Sequence, residues 1–332
     1  MKKYDIYGMG NALVDMEFKV SDEFLTDHLI EKGLMTLVEK ERQDHLLKAL
    51  SGNNVGHSRA CGGSAANTII GATQLGAKTF YSCKVADDET GEFYKNDLLA
   101  NGVKSNIEQG LYDGETGKCL VMISDDAERT MNTFLGTTAT YSEDQLDLAS
   151  LGESKWLYME GYLVTGAAGI AACETARDYA RKNDVKVALT FSDPGIVGFF
   201  KDGFKKMIGS EKLDLLFCNE EEAKSFTGLD NIDDAFNALK EVSHTFAITA
   251  GAKGAYLFDG NERLNVSSPK VTAMDTNGAG DLFAGAFLYG ITNGLNYAQA
   301  GTLACSCSAK LVTQYGPRLE KETTQSILKE VL

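Results

Sequence analysis

Between residues 78 and 291, extended-type apolar runs alternate with amphipathic stretches at helical spacing, and few architectures accommodate that rhythm. Residues 78–85 read as a strand and 91–101 as a helix stopped at Gly102. Strands at 156–161 and 186–192 flank a helix near 167–183. A strand at 213–218, a short helix at 220–227 and a strand at 246–250 continue the series. Glycine-flanked runs at 255–258 and 263–266 then read as a hairpin before a helix over 279–291. Such alternation predicts an α/β fold: a mainly parallel sheet covered by helices on both faces, with right-handed crossovers.

Two segments break the rhythm. Residues 11–20 alternate through Leu13, Val14, Met16, Phe18 and Val20 after a first strand at 4–9. Residues 117–124 and 129–136 are β-type runs joined by the polar turn at 125–128. Pairing of these pieces into a small sheet that stands off the core predicts a lid. Between the two strand-rich stretches, residues 62–76 read as a helix with Ala66, Ile69, Ile70 and Thr73 on one face and Gly76 as its stop. The chain has three prolines, no linker and no repeat, so 1–332 is expected to be one domain, its lid drawn from strands within about 11–40 and 105–138.

The formal net charge of -15 argues against a nucleic-acid-binding surface. No run of about 18 apolar residues occurs, so no membrane partner is expected. Lys2 and Lys3 lead directly to Asp5 without an apolar stretch, and the seven cysteines are odd in number with no CxxC pair. Both features point to a cytoplasmic protein with reduced thiols. The histidines at 28, 45, 57 and 244 are scattered, so any metal is expected on oxygen ligands.

Asp275-Thr276-Asn277-Gly278-Ala279-Gly280-Asp281 carries the strongest chemical signal. Phe283, Ala286, Phe287 and Ile291 follow at helical spacing, which places a helix start at the glycines. Unpaired N–H groups there form an anion cradle, and Asp281 one turn inside can take a proton. Cradle plus base is the minimal apparatus for moving a phosphoryl group onto a hydroxyl. Cys61-Gly62-Gly63-Ser64-Ala65-Ala66-Asn67 sets paired glycines before another helix, with an amide inside it. Asn219 and Glu222 follow an apolar strand, where the carboxyl ends of a parallel sheet line a ligand crevice. Thr249, Gly251 and Gly254 form a glycine loop after the next strand. Plainer readings stand beside these: a helix capped by Ser64, acids that complement a helix start, and an ordinary hairpin turn. The opening Gly8-Met9-Gly10 is not a dinucleotide fingerprint, because Leu13 occupies the third glycine position.

In this order along the chain, Asn11, Asp15, Gly62-Gly63 with Asn67, Asn219 with Glu222, Thr249-x-Gly251-x-x-Gly254 and the Asp275–Asp281 run resemble the ribokinase-type (PfkB) carbohydrate and nucleoside kinase family. Residues 10–15 and 160–165 are similar to its adenosine kinase branch. The resemblance implies a three-layer α/β core with a mainly parallel central sheet and a small β-sheet lid. It implies an ATP-dependent kinase that transfers the γ-phosphoryl group to a 5′-hydroxyl, with Asp281 as base and Gly278, Ala279 and Gly280 as anion hole. Asn11, Asp15, Gly63 and Asn67 would hold ribose hydroxyls, and Arg129 would reach the transferring phosphate. Asn219 and Glu222 would organise phosphate and water-held Mg²⁺, and Thr249, Gly251 and Gly254 would flank the nucleotide. The family's response to K⁺ would involve Asp275. For a base, Leu37, Val121, Met131, Phe134 and Tyr162 could supply an apolar wall, or could equally be the underside of the lid. Ala12 and Thr133 depart from the branch's proline and alanine, so the acceptor stays open between a nucleoside and a free sugar such as ribose or fructose. A non-catalytic sensor would be expected to lack the base and cradle, which are intact. Monomer and homodimer both remain open.

Overall fold

A computed structural model describes residues 2–52, 58–126 and 128–331. The chain opens with β1 (Tyr4–Met9) and crosses to β2 (Leu13–Lys19), β3 (Met35–Leu37) and β4 (Ser58–Gly62). It returns beside β1 through β5 (Thr79–Ser82) and β6 (Lys104–Ser105), then forms the expected hairpin of β7 (Thr116–Ile123) and β8 (Arg129–Gly136). β9 (Ser154–Met159), β10 (Lys186–Thr190), β11 (Leu215–Asn219) and β12 (Phe246–Thr249) follow, with the hairpin β13 (Ala255–Phe258) and β14 (Arg263–Val266) at the end.

Among the described residues these form two sheets, one of nine strands ordered β14-β13-β12-β11-β10-β9-β1-β5-β6 and one of five ordered β3-β8-β7-β2-β4. The larger is parallel except where β13 and β14 close its edge. Alternate residues of its strands feed two apolar layers, so the inner strands are buried on both faces. On one face Ile6, Tyr158 and Phe217 pack against the helices Ser64–Leu75, Ala279–Thr292 and Tyr297–Leu311. On the other Tyr7, Leu157 and Leu216 pack against Ala167–Lys182, Lys201–Ile208 and Ile232–Leu239. This is the three-layer α/β core expected from the sequence.

The smaller sheet pairs β2 with β7 in parallel, joining segments about a hundred residues apart along the chain. One strand lies outside the stretches expected to build it. β4 pairs antiparallel with β2, yet Ser-Arg-Ala-Cys-Gly lacks β-branched residues and clean alternation, and only the pairing makes it a strand. β6, within the expected lid stretch at residue 105, belongs to the larger sheet. The outer face of the smaller sheet is covered by its own chain: Phe18, Leu120 and Met122 pack against Leu25, Leu46 and Leu50 of the helices Asp22–Asp27 and Lys40–Gly52.

Candidate active site

The carboxyl ends of five neighbouring parallel strands deliver polar side chains to one cavity of about 430 Å³ between the sheets. Asn11 follows β1, Glu160 follows β9, Ser192 follows β10, and Asn219 and Thr249 end β11 and β12. A parallel sheet puts all its carboxyl ends on one edge, so residues far apart in sequence converge there without special folding.

Asp281 sits in the first turn of Ala279–Thr292, whose N-cap is Gly278 at φ 72°. Its Oδ1 accepts from Ser64 Oγ at 2.7 Å and its Oδ2 from Asn67 Nδ2 at 3.0 Å. Burial raises its carboxyl above the ordinary aspartate range, opposed by these two donors and by the Arg318 cation. Gly278 is required by position: besides its left-handed φ, a Cβ there would meet the Pro317 carbonyl oxygen at 2.4 Å. A Cβ on Gly280 would meet nothing within 4 Å, because it points into open space beside the cavity. Ala279 is not on the lining, and its N–H donates to the Thr276 carbonyl at 3.3 Å. The open part of the expected anion hole is therefore Gly278 and Gly280.

Ser64 does not cap its helix. The N-cap of Ser64–Leu75 is Gly63, at φ 97° and with a Cβ position only 2.3 Å from the Asn11 carbonyl oxygen. Ser64 is freed to hold Asp281. Beside it, Glu160 is 1% exposed and ties two strand ends together. Its Oε1 accepts from the Asn11 N–H at 3.2 Å and Asn11 Nδ2 at 3.0 Å, and its Oε2 from the Ala65 N–H at 2.8 Å. Burial pushes Glu160 up to about 7 against those bonds, and burial likewise pushes Asp15 up to about 7 with Arg318 opposing.

The smaller sheet roofs this end. Leu13 and Asp15 of β2, Cys119 of β7 and Met131, Thr133 and Leu135 of β8 face the cavity, as a period of two dictates. The same period overturns one expectation. With Met131 and Thr133 inside, Phe134 lies on the opposite face of β8, away from this cavity and on a separate groove with Glu39 and Thr137. Val121 is buried without lining the cavity, whereas Leu37, Met35 and Tyr162 do line it.

At the opposite end, Asn219 and Glu222 bond each other. Asn219 is the N-cap of Glu220–Thr227, with Nδ2 to Glu222 Oε1 at 2.8 Å and the Glu222 N–H to Asn219 Oδ1 at 2.8 Å. Both also line the cavity, so the capping box holds its acid at the site rather than away from it. Burial, reinforced by Asp193 and Asp281, pushes Glu222 up to about 7. Among the described residues no three acidic, histidine or cysteine side chains gather to cage a metal. A buried acid with no cation partner among the described residues, beside an anion cradle, fits a hydrated Mg²⁺ carried on phosphates. Thr249 is on the lining; Gly251 and Gly254 lie off it in the turn after β12, where a Cβ on Gly254 would meet the Val266 carbonyl oxygen at 1.9 Å.

Arg129 lines the cavity from β8 but is committed in this state: it pairs with Asp275 and lies 3.5 Å from Glu17 Oε1. Asp275 also accepts the N–H of Asn277 at 2.9 Å and of Gly316 at 2.8 Å, so the residue tied to K⁺ by resemblance is occupied by protein donors.

Residues 35–324 match the pfkB family of carbohydrate kinases. The chain belongs to the PfkB family. It is similar to adenosine kinase 2 of Arabidopsis thaliana, at 27% identity with 94% of each chain covered. Among solved structures it is similar to the adenosine kinase of Sinorhizobium meliloti, at 31% identity and TM-score 0.91, covering 99% of this chain and 100% of that one. A probable sugar kinase from Rhizobium etli CFN 42 is 30% identical with TM-score 0.92 and both chains covered in full. This PfkB protein is thus an ATP-using phosphotransferase with an alcohol group as acceptor.

Three residues at the PfkB site escaped assignment from sequence. Ser64 was read only as a cap, and Glu160 stood only within a run of resemblance. Arg318, which donates to Asn67, Asp97 and Cys61, follows Gly316-Pro317 with no local signal.

Proposed function

We propose that this chain transfers the γ-phosphoryl group of ATP to the 5′-hydroxyl of adenosine or a closely related nucleoside. The carrying observation is the placement of Asp281, held by Ser64 and Asn67 between the Gly278–Gly280 helix start and a polar pocket that continues into an apolar one. Asn11, Asp15, Gly63 and Asn67 suit ribose hydroxyls. Leu13, Leu37, Met131, Leu135 and Tyr162 suit a flat aglycone beyond them. Four carboxylates (Asp15, Glu160, Glu222 and Asp281) and a single cation, Arg129, line the cavity. That balance favours an uncharged acceptor over one already phosphorylated.

Asp281 takes the hydroxyl proton as the hydroxyl oxygen bonds to the γ-phosphorus and the bond from that phosphorus to the β,γ-bridging oxygen breaks to release ADP, while the N–H groups at Gly278 and Gly280 donate to the migrating group. Arg129 exchanges Asp275 for the phosphoryl oxygens when ATP is present. Asn219 and Glu222 would hold a hydrated Mg²⁺, which would supply charge neutralisation at the phosphates, and Thr249 would border the nucleotide. The smaller sheet acts as a lid that excludes water.

The seven cysteines are all free and buried, which suits a reducing, cytoplasmic setting in purine salvage. No helix among the described residues is long and apolar enough to cross a membrane. The chain's own helices cover Phe18, Leu120 and Met122 on the outer face of the small sheet, which favours a monomer. The deciding assay measures ATP consumption with adenosine, other nucleosides, ribose and fructose side by side. Adenosine is expected to give the highest kcat/KM. Strong preference for a free sugar would replace the nucleoside reading with a sugar kinase of the same fold.

A further inference from the structure

The segment after the helix Tyr297–Leu311 brings Arg318 behind Asn67. It is pinned by Leu319, 2% exposed, and by the Gln314 Nε2 bond to the Arg318 carbonyl at 3.0 Å. The Arg318 guanidinium spends its donors on three partners. Nε donates to Asn67 Oδ1 at 3.0 Å, Nη1 to Asp97 Oδ2 at 2.6 Å, and Nη2 to the Cys61 carbonyl. Asn67 itself is 6% exposed, and its other amide atom, Nδ2, donates to Asp281.

An asparagine amide has two ends of nearly equal size and opposite polarity, so its neighbours decide which end faces which way. A guanidinium can only donate, and an ionised carboxylate can only accept. With Arg318 on one side and Asp281 on the other, one orientation makes two good bonds. The flipped one sets donor against donor and oxygen against oxygen.

We propose that Arg318 is a positioning residue for phosphoryl transfer: through Asn67 it fixes a hydrogen-bond donor on Asp281 and so holds that carboxylate aimed at the acceptor hydroxyl. The inference rests on Asp281 acting as the base. Asp97 supports it in turn, as the carboxylate that anchors the guanidinium through Nη1. Arg318 also sets the charge of the site. Asp281 is surrounded by the acids Asp15, Glu160 and Glu222 and by the hydroxyls of Tyr158 and Tyr162, and Arg318 is the cation that favours its ionised form.

The test is steady-state kinetics across pH for Arg318→Met and Arg318→Lys, each alone and combined with Asn67→Ala, alongside wild-type enzyme. Arg318→Met is expected to lower kcat by about 10–100-fold with the KM for ATP within about threefold, and to move the acid limb of kcat to higher pH. Arg318→Lys keeps the charge but not the planar fork, and is expected to restore the acid limb while kcat stays at least about fivefold down. In the Asn67→Ala background, either substitution should lower kcat by less than about threefold, because the relay is already cut. Equal losses in both backgrounds, or unchanged kcat in Arg318→Lys, would overturn the proposal. Should Arg318→Met not fold, the Arg318→Lys cycle with Asn67→Ala decides alone. Wild-type enzyme inactive toward every hydroxyl acceptor would instead refute the kinase chemistry, whereas active wild type with indifferent variants refutes only the relay.

Discussion

Arg129 of the smaller sheet is ion-paired with Asp275 of the larger unit, and the Asp275 side chain is 1% exposed. The same carboxylate accepts the N–H groups of Asn277 and Gly316, so one buried acid shapes the glycine turn and ties the two sheets together. Asp275→Asn removes the charge and leaves the Arg129 guanidinium buried beside Glu17. Arg129 keeps the longer Glu17 contact while the Asn277 and Gly316 N–H groups lose a charged acceptor, so destabilisation of about 1–3 kcal/mol is expected in urea unfolding. An unchanged urea midpoint would show that the pair does not hold the sheets.

Asp281→Asn keeps the shape of the site and the Ser64 contact but cannot take a proton. We expect kcat to fall at least about 10²-fold while ATP still binds, measured by turnover and by nucleotide titration. Turnover near that of wild type would remove Asp281 from its role as base.

The two glycines of the helix start should respond oppositely. Gly278→Ala combines a left-handed φ of 72° with a clash on Pro317, so it should lose about 1–3 kcal/mol of stability as well as activity. Gly280→Ala meets no protein atom. Its melting temperature should hold or rise slightly, since alanine favours the helix by about 0.5–1 kcal/mol. Its kcat should nonetheless drop at least about tenfold, because the methyl group occupies space meant for the phosphoryl group. Equal melting temperatures for both variants would contradict this division.

Asp15, Glu160 and Glu222 all have carboxyls pushed up to about 7 by burial. In the unfolded chain such groups ionise near 4. Between about pH 4 and pH 7 the folded state therefore binds more protons, and stability falls as pH rises through that window. Unliganded protein should melt higher at pH 5.5 than at pH 8. Asp15→Asn should be more stable than wild type at pH 8 by roughly 1–4 kcal/mol while the acceptor KM rises. Flat melting curves between those two pH values would show that these carboxylates are solvated.

How much was readable in advance differs from residue to residue. The core strands, the β7–β8 hairpin and the helix at Ala279 were legible because period and glycine punctuation are local properties. Asp281, Asn67 and Glu222 were legible because helix starts and strand ends advertise where a ligand can approach backbone. β4 was not legible, since its strand character comes from pairing with β2. Phe134 was misplaced because two cavity-facing residues in one strand cannot stand three apart, and Met131 had already set the phase. Ser64 illustrates a different limit. Its sequence position suits an N-cap, but Gly63 takes that place and turns the hydroxyl toward Asp281.

The amino-acid sequence alone determined that strands and helices alternate, that a glycine turn opens a helix, and that an acid stands one turn inside it. These follow from backbone sterics and hydrophobic period within short windows. Only the tertiary structure decided what faces that acid. Ser64, Asn67 and Arg318 reach Asp281 and its neighbour from segments more than two hundred residues apart, a separation that no local preference encodes. They meet because the helices Ser64–Leu75 and Ala279–Thr292 pack together on one face of the larger sheet with their first turns at the cavity, and because buried donors and acceptors settle only where each finds its complement.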